Sequence, residues 1–163
     1  MHLEAKTLTL VLCSPEEARA QVKALPPEMR REVSPEWLKR VEESRMADPW
    51  LHGFKVIHRK TGATVGSAGF KAPPDAEGCV EIAYGVEAEH RGKGYAKEAA
   101  AALTDYALES DQVRTVRAHT LPKPSASTRV LTTCGFQYVG EVMDPEDGLV
   151  WRWEVRREQF ASR

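Results

Sequence analysis

No apolar run in this 163-residue sequence comes near the ~20 residues that a membrane-spanning helix needs. Its first residues, Met1 to Lys6, also lack the charged-then-apolar order of a secretory signal. A cytoplasmic protein that does not enter a membrane is therefore expected. Excess charge of either sign is missing too, since 23 Lys and Arg stand against 24 Asp and Glu for a formal net charge of −1. Such a chain exerts no long-range pull on nucleic-acid phosphates or an anionic bilayer, and neither is expected as a partner. Cysteine is scarce. Cys13, Cys79 and Cys134 form no CxxC pair, which argues against a disulfide scaffold or a zinc knuckle, and each reads as a small buried hydrophobe. The five histidines, His2, His52, His58, His90 and His119, show neither HxxxH nor HExxH spacing, so no metal is expected. Internal repeats and low-complexity tracts are absent, and the proline-bearing stretches at 26–27, 73–74 and 122–124 are short enough to be loops.

What is present is enough hydrophobic material, 42% of residues, to fill one core, and the length predicts a single domain over 1–163. Thr7 to Leu12 alternates polar and apolar residues as a strand does. Ser14-Pro15-Glu16-Glu17 then supplies a helix N-cap, a first-turn proline and first-turn acids. The same signature at Ser34-Pro35-Glu36 opens a helix carrying Trp37, Leu38 and Val41, which Asp48-Pro49 should stop. Two helices are thus predicted ahead of the main sheet. Phe54 to Arg59 and Thr64 to Phe70 read as a hairpin around Lys60-Thr61-Gly62, and Cys79 to Val86 as the next strand. Gly92 to Glu109 carries Ala96, Ala99, Ala100, Leu103, Tyr106 and Ala107 on one helical face. Val113 to Ala118 follows as a strand, so that strand, helix and strand form a right-handed crossover between parallel neighbours. A helix from Ser125 to Cys134 and a closing hairpin of Phe136 to Met143 and Leu149 to Val155 complete a mixed, largely antiparallel α/β arrangement.

Chemistry concentrates in the segment 86–96. A strand feeding a glycine-bearing loop that opens a helix gathers free backbone N–H groups and the positive end of the helix dipole at one point. Gly92 and Gly94 let the backbone approach an anion closely, and Arg91 and Lys93 add charge. The result is a cradle for a phosphate or pyrophosphate; the competing interpretation is an ordinary glycine turn before a helix. A P-loop would need GxxxxGK with Ser or Thr, which is absent, and a dinucleotide fingerprint would need a small residue where Lys97 stands.

Glu81-Ile82-Ala83-Tyr84-Gly85-Val86, then Arg91-Gly92-Lys93-Gly94-Tyr95-Ala96, then Ser127 with Val130-Leu131 and Gly135-Phe136, resemble the GCN5-related N-acetyltransferase (GNAT) family, in particular its ribosomal-protein-acetylating (Rim-like) branch. The resemblance covers nearly the whole chain. It implies an α/β (α+β) fold with a mixed, mostly antiparallel twisted sheet of six to seven strands, helices on both faces and a splayed parallel pair. It implies acetyl-CoA as acyl donor, with the pyrophosphate on the loop formed by Arg91, Gly92, Lys93, Gly94, Tyr95 and Ala96 and the pantetheine arm in the splay. A backbone N–H of Gly85 or Val86 would face the developing oxyanion. A primary amine is mostly protonated near neutrality, and Glu81 resembles the family's base, the competing interpretation being an outward-facing strand glutamate. The family's usual CoA-contacting asparagine is Pro124 here, and its tyrosine acid is Leu131. Ser127 is then the hydroxyl that the resemblance leaves for the departing thiolate, unless it is a plain helix cap. Pro26 to Trp50 and the loop from Asp144 to Asp147 would line the acceptor side. A protein N-terminus or a small-molecule amine fits as acceptor, by direct attack in a ternary complex, and a homodimer is left open. The alternative is a catalytically weak or inactive acyl-CoA-binding protein of the same fold.

Overall fold

The computed structural model describes residues 1–31 and 33–161. Polar and apolar residues alternate in β2 (Leu8–Leu12), which buries Leu8 and Leu10 completely, and β2 pairs antiparallel with a short strand, β1 (His2–Glu4). Helix α1 (Pro15–Ala24) starts at a full capping box: the Ser14 hydroxyl accepts from the Glu17 N–H while the Glu17 carboxylate accepts from the Ser14 N–H. A five-residue helix, α2 (Pro27–Arg31), and then α3 (Pro35–Glu43) follow. Ala18 of α1 and Val41 of α3 pack with Leu51 in a small satellite cluster, fixed by a bond from the Trp37 indole N–H to the Leu51 carbonyl (3.1 Å).

The sheet continues with β3 (Phe54–His58), β4 (Thr64–Phe70), β5 (Cys79–Val86), β6 (Thr115–Thr120), β7 (Gln137–Asp144) and β8 (Gly148–Arg156). Their order is β1-β2-β3-β4-β5-β6-β8-β7, antiparallel throughout except for β5 and β6. The crossover between those two carries α4 (Tyr95–Glu109), whose small Ala99, Ala100 and Ala107 and larger Leu103 are buried and let the helix lie close on the sheet. Helix α5 (Ala126–Thr133) packs beside α4, and α6 (Arg157–Ala161) follows the last strand. Among the described residues no helix is long and apolar enough to cross a membrane.

The parallel pair is short. Only Cys79, Val80 and Glu81 of β5 match Thr115, Val116 and Arg117 of β6. Beyond Glu81, β5 stays paired with β4 to Val86, whereas β6 stays with β8 to Thr120, so a wedge opens between them. Gly66 keeps β4 tight against the far part of β5, because a Cβ there would lie 2.1 Å from the Gly85 carbonyl oxygen.

Several boundaries differ from the sequence expectations, for local reasons. Among the described residues eight strands form instead of six to seven, the addition at the edge being β1, whose three residues are too few to show a period. Pro26-Pro27 opens the short helix α2, so three helices rather than two precede β3. Helix α3 ends at Glu43, before Asp48-Pro49, because the Ser44 hydroxyl donates to the Val41 carbonyl (2.6 Å) and caps it. Helix α4 begins at Tyr95, since Gly92 and Gly94 take φ near +80°, a left-handed conformation incompatible with helix. β6 starts at Thr115 and runs on to Thr120, while Val113 is buried ahead of it with its carbonyl accepting from the Arg157 Nε–H at 3.0 Å.

Candidate active site

β5 delivers the glycine-bearing loop at the open end of the wedge. A 3-10 turn at Ala88–His90 leads into Gly92 (φ +80°) and Gly94 (φ +83°), the latter being the N-cap of α4 with no side-chain bond of its own. The backbone N–H groups from Gly92 to Lys97 have no acceptor among the described residues, which leaves a run of donors at the positive end of a fifteen-residue helix. A Cβ at Gly92 or Gly94 would meet nothing within 4 Å, so the chain itself leaves that space clear. The Arg91 Nε–H donates to the Val86 carbonyl (3.0 Å) and ties the loop to the strand end. Arg91 and Lys93 are exposed, while Tyr95 is half-buried with its ring 5.6 Å from His58, and Ala96 follows it in the first turn. Glu98, the one acid of that turn, is taken up by the Thr7 N–H (2.7 Å) and hydroxyl (2.6 Å), which anchors the helix start to the β1–β2 hairpin.

The edge of β5 that faces the wedge can be read from the ladder. The Glu87 N–H donates to Val65 and the Lys71 N–H to Glu81, so odd-numbered residues of β5 bond to β4 and even-numbered ones point their N–H and C=O away. Of the two expected oxyanion donors, Gly85 therefore directs its N–H into the β4 ladder, and Val86 directs its own toward the wedge together with Ile82 and Tyr84.

Side chains of β5 alternate between two surroundings. Glu81 faces an open cavity of about 950 Å³, bounded by Trp37 and Arg40 of α3, by residues 70–75 and by the β7–β8 turn at 144–147. Its carboxylate is neither outward-facing nor alone. Glu81 Oε2 lies 2.9 Å from Lys71 Nζ and 3.3 Å from His119 Nδ1, and Lys71 Nζ also reaches Asp147 at 2.6 Å. Burial alone would lower the Lys71 ammonium, but bonds to Asp147 and Glu81 outweigh it and hold Lys71 well above its ordinary range. Asp144 is held below the usual carboxylate range: partial burial opposes this, but the Asp147 and Glu146 N–H groups donate to it, and His119 and Lys71 add positive potential. His119 sits opposite Arg152 across the β6–β8 ladder, and the Arg152 Nε–H donates to its Nε2 (3.1 Å). Nε2 is thus an acceptor and the ring proton stands on Nδ1, which lies near Glu81 Oε2 without a hydrogen bond to it. Among the described residues six carboxylates line the cavity against two cations, Arg40 and Lys71, and Arg40 is bonded to Glu36 (2.8 Å).

Glu81, His119 and Asp144 come close enough to suggest a cation site. The donor set does not suit a metal, because His119 Nδ1 carries its proton and the Lys71 ammonium already neutralises Glu81.

Ser127 is exposed in the first turn of α5, and the cap of that helix is its neighbour Ser125, whose hydroxyl accepts from the Thr128 N–H. Ser127 is therefore free of the capping role. It interacts with the Tyr84 hydroxyl, although burial dominates there and pushes the Tyr84 phenol up to about 12, so Tyr84 stays a proton donor near neutrality. Sequence reasoning quoted Tyr84 only as part of a strand; strand alternation, which sends it to the face opposite Glu81, was the signal available. Leu131 is fully buried in the core. Burial raises Cys13 and lifts Cys79 to about 11, which leaves both as thiols.

A family model described as an acetyltransferase (GNAT) domain matches residues 2–137. The chain belongs to the GNAT acetyltransferase family. It is 32% identical over 114 residues to an uncharacterized N-acetyltransferase, p20, of Bacillus licheniformis, an alignment that takes in 67% of this chain and 64% of the relative. The chain thus spans just under two thirds of that curated relative's length. Among solved structures, the GNAT fold seen here resembles a ribosomal L7/L12 α-N-protein acetyltransferase in complex with coenzyme A, at TM-score 0.68 and 14% identity over 96% of this chain and 98% of that one. A chimeric spermidine N-acetyltransferase from Vibrio cholerae superposes at TM-score 0.69 and 17% identity, over 97% of this chain and 100% of that one. The wedge between β5 and β6 and the loop before α4 are the parts of this GNAT domain that frame the candidate site.

Proposed function

We propose that this protein is a cytoplasmic, single-domain N-acetyltransferase that moves an acetyl group from acetyl-CoA to a primary amine by direct attack within a ternary complex. The observation that carries the proposal is the wedge itself, with a run of free N–H donors at its open end and a carboxylate-lined cavity on the opposite face of β5. In this reading the pyrophosphate rests on the N–H groups and cations of the loop from Arg91 to Ala96. The pantetheine arm runs along the free edge of β5. The Val86 N–H, with Tyr84 and Ile82 on the same edge, faces the carbonyl oxygen as it becomes an oxyanion. The amine arrives as an ammonium and loses a proton to Glu81, and its nitrogen then attacks the thioester carbonyl. Attack forms the new C–N bond, the nitrogen gives up its second proton as the C–S bond breaks, and that proton reaches the thiolate through the Ser127 and Tyr84 hydroxyls, which act as a relay and end protonated.

Incubation with acetyl-CoA and a broad panel of amines, followed by measurement of free CoA thiol, tests the proposal: acceptor-dependent release is expected. The finer expectation of a Rim-like activity is tested in the same panel by peptides with free N-termini. Pro124 and Leu131 favour a second reading, a CoA-binding protein with little turnover. That reading would be established by tight CoA binding with no acceptor-dependent release across the panel.

Replacing Ser127 by Ala should lower kcat about 10–150-fold with CoA affinity nearly constant, since one bond to a charged sulfur is worth roughly 1.5–3 kcal/mol and is made mainly in the transition state. Tyr84→Phe should act in the same direction. Ser125 is the cap, so helix α5 should keep its stability in the Ser127 variant. Unchanged kcat in both variants would mean that the thiolate leaves unassisted and is protonated by water.

A further inference from the structure

The following inference rests on the acetyl-transfer reading of this site. Lys71 follows directly on β4. Its backbone N–H donates to the Glu81 carbonyl (3.0 Å), and its side chain turns back across the same pair of strands to Glu81 Oε2 and to Asp147. We propose that Lys71 is a specificity-determining residue: its ammonium occupies, in the free protein, the position between Glu81 and Asp147 that the ammonium of a cationic acceptor must take to meet its base, so the acceptor binds by exchange with Lys71.

The chemistry of the two groups is the same. A lysine head and an alkylammonium acceptor each present three N–H donors around a point charge, and a pair of carboxylates that satisfies one satisfies the other. Among the described residues the surrounding groups do not compete for the position. Arg40 is committed to Glu36, Asp144 accepts from the backbone of its own turn, and His119 Nδ1 lies 3.3 Å from Glu81 Oε2 on the side of β6 without a hydrogen bond to it. Lys71 can leave without any shift of the backbone, because its side chain is one third exposed (33%) and its long stem can carry the head into water, and the two ion pairs it gives up are what the acceptor must replace. It stays charged throughout the neutral range, so it acts as a competing cation and never as the base. Exchange leaves the charge of the cavity unchanged. An acceptor with one ammonium gains little by it, whereas a second ammonium can meet carboxylates that Lys71 does not reach, such as Asp75 or Glu146.

A purely structural role for Lys71, tying the β7–β8 turn to β4, predicts the opposite sign. Loss of a tie loosens the cavity wall and weakens acceptor binding, whereas loss of a competitor strengthens it. The test uses spermidine as the cationic probe and calorimetry on the wild type and on Lys71→Met, with Lys71→Gln as a second variant and Lys71→Arg as the charge-retaining control. Spermidine should bind at least about tenfold more tightly to the Met and Gln variants, with the Arg variant close to wild type. Spermidine should also raise the melting temperature of the Met variant more than that of the wild type. Where turnover with acetyl-CoA is measured, KM for spermidine should fall in proportion while KM for acetyl-CoA, bound on the other face of β5, stays constant. Unchanged or weaker spermidine binding in a folded Met or Gln variant overturns the proposal, as does absence of spermidine binding in every variant. Failure of the acetyl-transfer reading would show separately, as no acceptor-dependent release of CoA thiol by the wild type with any amine of the panel.

Discussion

Gly94→Asp should weaken CoA binding by at least about 100-fold in calorimetric titration while the protein stays folded. The residue is the N-cap of α4 at φ +83°, a backbone conformation in which Asp is among the better tolerated non-glycine residues. A Cβ there meets nothing within 4 Å, so the substitution introduces no clash within the chain. What it does introduce is a carboxylate beside the free N–H groups from Gly92 to Lys97, where the pyrophosphate should rest. Two like charges about 4 Å apart at an effective dielectric near 20 repel by ~4 kcal/mol, and each ~1.4 kcal/mol is tenfold in affinity. The carboxylate would also accept from those same N–H groups and satisfy them internally. Added salt should recover only part of the loss, because screening relieves the repulsion but does not free the donors. Unchanged CoA affinity in a folded variant would remove the loop from the binding site and, with it, the assignment of the wedge to the pantetheine arm.

Legibility of the fold followed the length and regularity of each element. β5 was readable to its ends, Cys79 and Val86, and α1 was announced by Ser14-Pro15-Glu16-Glu17, because a capping box and first-turn proline are local chemistry that needs no tertiary partner. β1 was not readable. It exists because Leu3 can pair with Leu10 along the outer edge of β2, a relation between segments that three residues alone do not encode. Helix α2 has no buried residue and so leaves no apolar period to detect. The shift of β6 toward Thr120 follows from its ladder with β8, which runs from Thr115 to Thr120 and is blind to the apolar character of Val113.

The candidate site divides along the same line. The loop from Arg91 to Ala96 was legible because all its parts are consecutive. Glu81 was legible as a residue but not in its surroundings: Lys71, His119 and Asp147 come from β4's end, β6 and the β7–β8 turn, and only the sheet order brings them together. Tyr84 was hidden for a related reason. Strand alternation could assign it to the face opposite Glu81, but its approach to Ser127 depends on how α5 returns to the wedge. Between Gly85 and Val86, the ladder decides which N–H is free, and a ladder has a parity only once its partner strand and register are known.

The second large effect is expected at Glu81. Substitution by Gln keeps the shape of the side chain and removes its basicity, and kcat/KM should fall roughly 10²–10⁴-fold near neutral pH. CoA affinity should not change, since Glu81 faces the cavity and not the anion loop. The pH profile separates the base from the acceptor. Activity should rise with pH in the wild type as more of the acceptor amine is neutral. Asp144, held below the ordinary range, is already ionised there, and Lys71, held above its range, remains charged, so neither contributes a limb near neutrality. A rate lowered in the Gln variant across that range, with CoA affinity kept, would identify Glu81 as the base, because a residue that only shaped the cavity would be replaced by its isostere at little cost. An unaltered rate and profile would assign deprotonation to water or to the substrate itself.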